Sequence, residues 1–251
     1  MTFTRAILRR PGSDFAAGLT TADLGAPDYD RMLVQHAAYA DALRSLGLAV
    51  EVLDPLPGFP DAYFLEDVAV VVPELAVVTR PGAPSRRGEE DAIGVVLSRY
   101  REVVLLQHPA TLDGGDVLVV GRTVLVGLSA RTNAEGAAQL GRLLEPHGYR
   151  LRAVPVSGGL HLKSSVNWLD GETVLVSERF ATAPELSSYH RVVVDEEPAC
   201  NTLSVNGTLL VPAGFPGARR KLERTGLPVV EIDVSEARKM DGGLTCMSLR
   251  L

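Results

Sequence analysis

The segment Lys239-Met240-Asp241-Gly242-Gly243-Leu244-Thr245-Cys246-Met247-Ser248 sets one of the chain's two cysteines just beyond a Gly-Gly turn. A thiol so placed is a candidate nucleophile, and three other segments supply what it would need: Phe64-Leu65-Glu66-Asp67, Leu112-Asp113-Gly114-Gly115-Asp116 and His161-Leu162-Lys163. Glu66 and Asp67 stand at the mouth of Val68 to Val72, a run so apolar that both of its faces are expected to be buried. Two partly desolvated carboxylates call for a cation, either an arginine of the protein or a bound one, and Asp61 can join them. Gly114-Gly115 precedes a strand rather than a helix, so it is not a phosphate loop; glycines there let the backbone approach a ligand closely. His161 offers a proton carrier near neutral pH. Singly, each feature has a bland reading: an inert buried thiol, a structural histidine, an Asp-Gly turn. As a set they point to covalent chemistry on a cationic substrate.

Competing chemistries find less support. There is no HExxH, no CxxC and no close histidine pair for metal hydrolysis, and no GxSxG for a serine nucleophile. A net charge of −6 with interleaved signs argues against a sequence-independent nucleic-acid surface, and Arg219-Arg220-Lys221 reads as a solvated helix face. Cys200 lies at the start of an apolar strand, so a disulfide scaffold is not expected. No segment approaches the length of a membrane span, and the N-terminus has no apolar signal core; the expectation is a cytoplasmic protein without a membrane partner.

The elements that must position these groups follow from periodicity. Val68 to Val72 faces Leu75 to Thr79 across Pro73-Glu74, and Val117 to Val120 faces Thr123 to Val126 across Gly121-Arg122. The pattern returns around Asp170-Gly171 and Asn206-Gly207, the strongest short hairpin signals. Helical stretches lie between them at Arg31 to Leu46, Glu89 to Tyr100, Asn133 to Pro146 and Phe215 to Thr225, followed by short strands such as Ala49 to Leu53. The unit is hairpin, helix, strand, recurring every 35 to 50 residues or so, which signals a closed array. Five units close if Thr4 to Leu8 pairs with Thr245 to Leu249, which would bring Cys246 to the centre of a ring. The expected architecture is thus a single α/β domain over residues 1–251, and hairpins are too many for a doubly wound sheet.

These segments, together with Thr79-Arg80-Pro81-Gly82-Ala83-Pro84-Ser85-Arg86-Arg87 and Gly127-Leu128-Ser129-Ala130-Arg131-Thr132-Asn133, closely resemble the dimethylarginine dimethylaminohydrolase family over nearly the whole chain. The resemblance implies a five-bladed pentein α/β propeller with its active site at the central axis, needing neither cofactor nor metal. It implies Cys246 as nucleophile, His161 as general acid and base, and Asp113 as the acid that orients His161 and contacts the substrate. It also implies Glu66 and Asp67 at the cationic end of the substrate with Asp61 nearby, Arg80 and Arg131 on its α-carboxylate, and Leu19 in a mobile loop over the site. The expected reaction converts N-omega-methylated arginine to citrulline and an amine, by a monomer or homodimer. Arginine deiminases of the superfamily carry His-x-Asp where this chain has Lys163, which favours a substituted guanidinium. Two alternatives stand beside it: a sibling hydrolase for another N-substituted arginine such as N-omega-hydroxyarginine, and a non-catalytic binding propeller like the ribosome anti-association factors of the same fold.

Overall fold

The computed structural model describes residues 2–251. The chain opens with β1 (Arg5–Arg9), crosses through helix α1 (Tyr29–Ser45), and returns as β2 (Ala49–Leu53), parallel to β1. The hairpin β3 (Ala69–Val71) and β4 (Leu75–Val78) follows, then α2 (Glu89–Leu97) and β5 (Glu102–Leu105). Next come β6 (Val117–Val120), β7 (Thr123–Leu128), α3 (Ala134–Leu144) and β8 (Arg150–Pro155), then β9 (Val166–Asp170), β10 (Thr173–Ser177) and β11 (His190–Val194). The chain ends with β12 (Leu203–Val205), β13 (Thr208–Pro212), α4 (Pro216–Glu223), β14 (Val229–Ile232), α5 (Ser235–Arg238) and β15 (Ser248–Arg250). These strands form five three-stranded sheets. In each, an inner strand pairs antiparallel with a middle strand, which pairs parallel with an outer one. The first sheet takes its inner strand from the other end of the chain: β15 pairs antiparallel with β1, Ile7 opposite Leu249.

Five apolar clusters fill the gaps between neighbouring sheets, and the middle strands show why the centres of these runs are apolar. Along β7, Val124 and Val126 pack with the sheet of β3 to β5, whereas Leu125 packs with the sheet of β9 to β11. Along β10, Val174 and Val176 face backwards and Leu175 faces forwards in the same way. A strand alternates its side chains between faces, so a strand covered on both sides must be apolar throughout. The same alternation fixes register, because a slip by one residue would exchange the two cores. α1 begins on Asp28, whose side chain accepts from the Arg31 amide at 2.8 Å, and α3 begins on Asn133, which accepts from the Gly136 amide at 2.7 Å.

The fourth sheet departs from the expected unit. Between β10 and β11 the chain makes only the short 3-10 turns Glu178–Phe180 and Pro184–Leu186. Pro184 lacks an amide donor and would break a helix there, and Phe180 and Leu186 fill the space that a helix occupies elsewhere. No helix among the described residues is long and apolar enough to cross a membrane.

Candidate active site

Each inner strand is entered through a tight turn, and the five turns converge at one end of the axis. Leu65–Val68 leads into β3 and carries Glu66 and Asp67, while Gly114–Asp116 leads into β6 with Asp113 just ahead of it. Leu162–Ser164 leads into β9 with His161 ahead of it, and Glu197–Cys200 leads into β12 with Asn201 after it. The turn before β15 carries Cys246. Residues far apart in the chain thereby occupy equivalent places in the repeat.

Cys246, His161, Asp113 and Asp67 line one cavity of about 150 Å³, with Asp61, Arg131 and Leu19 also in its wall. His161 is buried, with Nε2 at 3.0 Å from Asp113 Oδ2 and Nδ1 at 3.8 Å from Asp67 Oδ1. Burial opposes a charge on this imidazole, but Asp67, Asp113 and Asp116 outweigh it and raise its pKa to about 9. Asp113 is itself held below the usual carboxylate range: burial pushes it up, and the hydrogen bond and charge of His161, with Arg86 and the Gly82 amide, outweigh that. The backbone just after His161 is fixed by Asp116, which accepts from the Leu162 amide at 2.8 Å, from Ser129 Oγ at 2.6 Å and from Thr132 Oγ1 at 2.7 Å. Gly115 is required by this packing, since a Cβ there would stand 2.6 Å from His161 Nδ1 and 2.7 Å from Asp67 Oδ1.

Cys246 sits opposite in character. Burial, together with the charges of Glu66 and Asp67, pushes its thiol up to about 12. At neutral pH the site therefore pairs a neutral thiol with an imidazolium. Asn201, absent from the sequence-based candidates, clamps the nucleophile's backbone: its Oδ1 accepts from the Thr245 amide at 2.9 Å, and its Nδ2 donates to Thr245 Oγ1 at 3.3 Å and to Cys246 Sγ at 3.7 Å. Like Asp67 and Cys246 it stands two residues ahead of an inner strand, and that repeat position is the signal that could have found it.

Two of the sequence-based candidates lie outside this cavity. Arg80 does not line the cavity; at the end of the second sheet's middle strand it pairs with Leu112, and its guanidinium turns to the Ala110 carbonyl at 3.3 Å. The cavity is lined instead by Arg86, buried and bonded to Asp67, to Glu89 at 2.8 Å, and to the carbonyls of Asp61 and Phe64. Glu66 is also outside the cavity: it accepts from Thr245 Oγ1 at 2.7 Å and is neutralised by Lys163 at 2.7 Å and Arg250 at 3.1 Å. Lys163 consequently points at Glu66 and lies outside the reaction cavity. The cations that the paired acids demanded are thus the protein's own: Arg86 for Asp67, Lys163 and Arg250 for Glu66.

The remaining expected residues come together. Arg131 is fixed through its backbone amide, which donates to Ser129 Oγ at 3.0 Å, and its guanidinium has no protein partner among the described residues. Leu19 reaches the cavity on a segment tied down twice. Its amide donates to both oxygens of Asp61 at 3.0 and 3.1 Å, and Thr21 Oγ1 donates to Asp241 at 2.9 Å. Asp67, Asp113 and His161 offer ligand atoms within 4.8 Å of one another, a spacing that a metal ion could use.

The comparisons with known proteins agree with this arrangement. A family model described as N,N dimethylarginine dimethylhydrolase, eukaryotic, matches residues 28–183. The N(G),N(G)-dimethylarginine dimethylaminohydrolase of Pseudomonas aeruginosa is 40% identical over 252 residues, covering 99% of each chain. The chain belongs to the dimethylarginine dimethylaminohydrolase family. The Streptomyces coelicolor enzyme of the same name is 39% identical over 98% of this chain and 96% of its own. A solved structure of a mutant of the Pseudomonas aeruginosa enzyme complexed with citrulline superposes with a TM-score of 0.98 at 39% identity, covering both chains completely. The fold, though not more, is shared with the N-terminal domain of ArgZ, at a TM-score of 0.87 and 20% identity over 98% of this chain and 97% of that one. As a member of this family the protein is a hydrolase acting on C–N bonds, built on the α/β pentein propeller.

Proposed function

We propose that this hydrolase converts N-omega-methylated arginine to citrulline and methylamine or dimethylamine, with Cys246 as nucleophile, His161 as proton carrier and residues 1–251 acting as one catalytic unit. The observation that carries the reading is the pairing in one cavity of Cys246 with His161, whose ring nitrogens stand 3.0 Å from Asp113 and 3.8 Å from Asp67. A guanidinium carbon is a weak electrophile, so the group must be held among carboxylates and attacked by a strong nucleophile. Asp67 and Asp113 face the space beside Cys246, and Arg131 has donors to offer the substrate's α-carboxylate.

The protonation states set the order of steps. A bound guanidinium places positive charge beside Cys246, offsets the acids that hold the thiol neutral, and lets it lose its proton to solvent. The thiolate then adds to the guanidinium carbon. His161 gives its proton to the departing nitrogen as the C–N bond breaks, which releases the amine and leaves an S-alkylthiouronium on Cys246. Neutral His161 next takes a proton from water as the hydroxyl adds to that carbon. Breakage of the C–S bond, with the hydroxyl proton passing to the departing sulfur, returns the Cys246 thiol and the ureido product. Nucleophile, acid and base are all side chains, so this chemistry needs no cofactor. Support also comes from relatives, since a mutant of the Pseudomonas aeruginosa enzyme holds citrulline and a solved dimethylarginine dimethylaminohydrolase is an adduct with S-methyl-L-thiocitrulline. The test is release of citrulline and amine from arginine, monomethylarginine, asymmetric dimethylarginine and N-omega-hydroxyarginine. A kcat/KM higher for dimethylarginine than for arginine supports the reading. A preference for arginine would make the protein a deiminase, and a preference for hydroxyarginine a sibling hydrolase.

A further inference from the structure

A second, larger cavity of about 600 Å³ lies along the same axis, and it shares no lining residue with the reaction cavity. Its walls come from the inner strand of every sheet, including Val70, Val119, Trp168, Leu203 and Leu249. They are mainly apolar, and the volume is that of a small-molecule site. At its floor stand Glu66, Lys163, Thr245 and Arg250, so two cations face one carboxylate. Lys163 is only 8% exposed, yet its ammonium, able to donate three hydrogen bonds, meets a single acceptor among the described residues, Glu66 Oε1 at 2.7 Å. The charged groups near the outer rim are Asp170 and Arg122, and Arg122 is engaged by Glu74 at 2.7 Å.

We propose that this funnel binds a small organic monoanion, a carboxylate with an apolar body, whose head group meets Lys163 and whose chain lies along the inner strands. The floor carries one positive charge in excess inside an apolar wall, which excludes cations and selects an amphiphile over a bare ion. The floor is also the layer beneath the nucleophile. The Glu66 amide donates to the Cys246 carbonyl at 3.0 Å, Thr245 Oγ1 bonds Glu66, and Arg250 donates to the Thr245 carbonyl at 3.1 Å. A further negative charge there disfavours the Cys246 thiolate, so occupancy lowers kcat without displacing substrate.

Trp168, the only tryptophan, lines the funnel and reports on it directly. Octanoate titrated into the whole protein, with citrulline present at saturation to occupy the reaction cavity, should produce a saturable change in tryptophan fluorescence. Octan-1-ol, which lacks the charge, should not. Lys163→Met, which leaves Glu66 paired with Arg250, should weaken octanoate by about tenfold or more. Val119→Phe, which narrows the funnel and keeps Lys163, should weaken it too and stands in if the first variant does not fold. Absence of a saturable change, equal binding by all three proteins, or relief by citrulline would overturn the proposal. Binding without a fall in kcat would overturn the coupling to Cys246. The fluorescence measurement does not depend on which guanidine the enzyme hydrolyses.

Discussion

Removing the charge of Asp113 while keeping its shape should lower the pKa of His161, and the size of the fall can be worked from the geometry. Two unit charges 3.0 Å apart attract by about 5 to 6 kcal/mol at an effective dielectric constant near 20. The rise of His161 from 6.5 to about 9 corresponds to about 3 kcal/mol, with the rest of the attraction, and that of Asp67, offsetting burial. In Asp113→Asn the amide oxygen can still accept from Nε2, but the attraction is gone and burial is not. The imidazolium pKa should fall by about one pH unit or more. Titration of the His161 ring by nuclear magnetic resonance measures this, in a Cys246→Ser background and with the signal assigned by its loss in His161→Asn. Stability gives a second reading. Because folding raises the pKa of His161, its contribution is fully present below 6.5 and is lost as pH rises through about 9. Denaturant unfolding of the wild type should show that loss between these values, and Asp113→Asn should show a smaller one. A His161 pKa that stays within a few tenths of the wild-type value would refute the claim that Asp113 holds the imidazolium.

Other changes test other parts of the site. Arg131→Ala should raise KM for dimethylarginine at least tenfold with a smaller effect on kcat, since a desolvated charged contact is worth about 2 to 5 kcal/mol; Arg80→Ala, outside the cavity, should leave KM near the wild-type value. Asn201→Ala removes an amide clamp on Thr245 and a donor to the sulfur, so kcat should fall about tenfold and the rate of Cys246 alkylation by iodoacetamide should change with it. An unaltered alkylation profile would reduce Asn201 to packing. Asp241→Ala releases Thr21 and should loosen the segment carrying Leu19, seen as faster amide exchange at residues 19–22 and a higher KM. Unchanged exchange there would show that Asp241 is not its latch.

Much of the fold was legible because double-sided burial writes itself into composition: strands covered on both faces must be apolar, and Asp170-Gly171 and Asn206-Gly207 mark the turns between them. Closure of the ring followed from the lack of a local hairpin partner for β1, and β15 supplies the antiparallel one. Missing from the pattern was the helix of the fourth sheet, because Phe180 and Leu186 satisfy the core without helical periodicity. Acids, histidine and cysteine were legible as a set because each stands at the mouth of an apolar strand. Direction of side chains was not. Arg80, Arg86 and Arg87 lie within a few residues of each other, and only packing decides that Arg86 turns inward to Asp67 while Arg87 bonds the Pro81 carbonyl at 3.3 Å. Glu66 and Asp67 are adjacent yet face opposite cavities, a separation that their shared character concealed.

The account stands or falls on Cys246 carrying the substrate carbon. Enzyme turning over asymmetric dimethylarginine, quenched in acid and digested, should give a peptide containing Cys246 with the mass of a thiouronium adduct. The adduct should be absent from Cys246→Ser and should accumulate when His161 is replaced by glycine. An adduct on the Cys200 peptide, or dimethylamine released by Cys246→Ser at the wild-type rate, would contradict it.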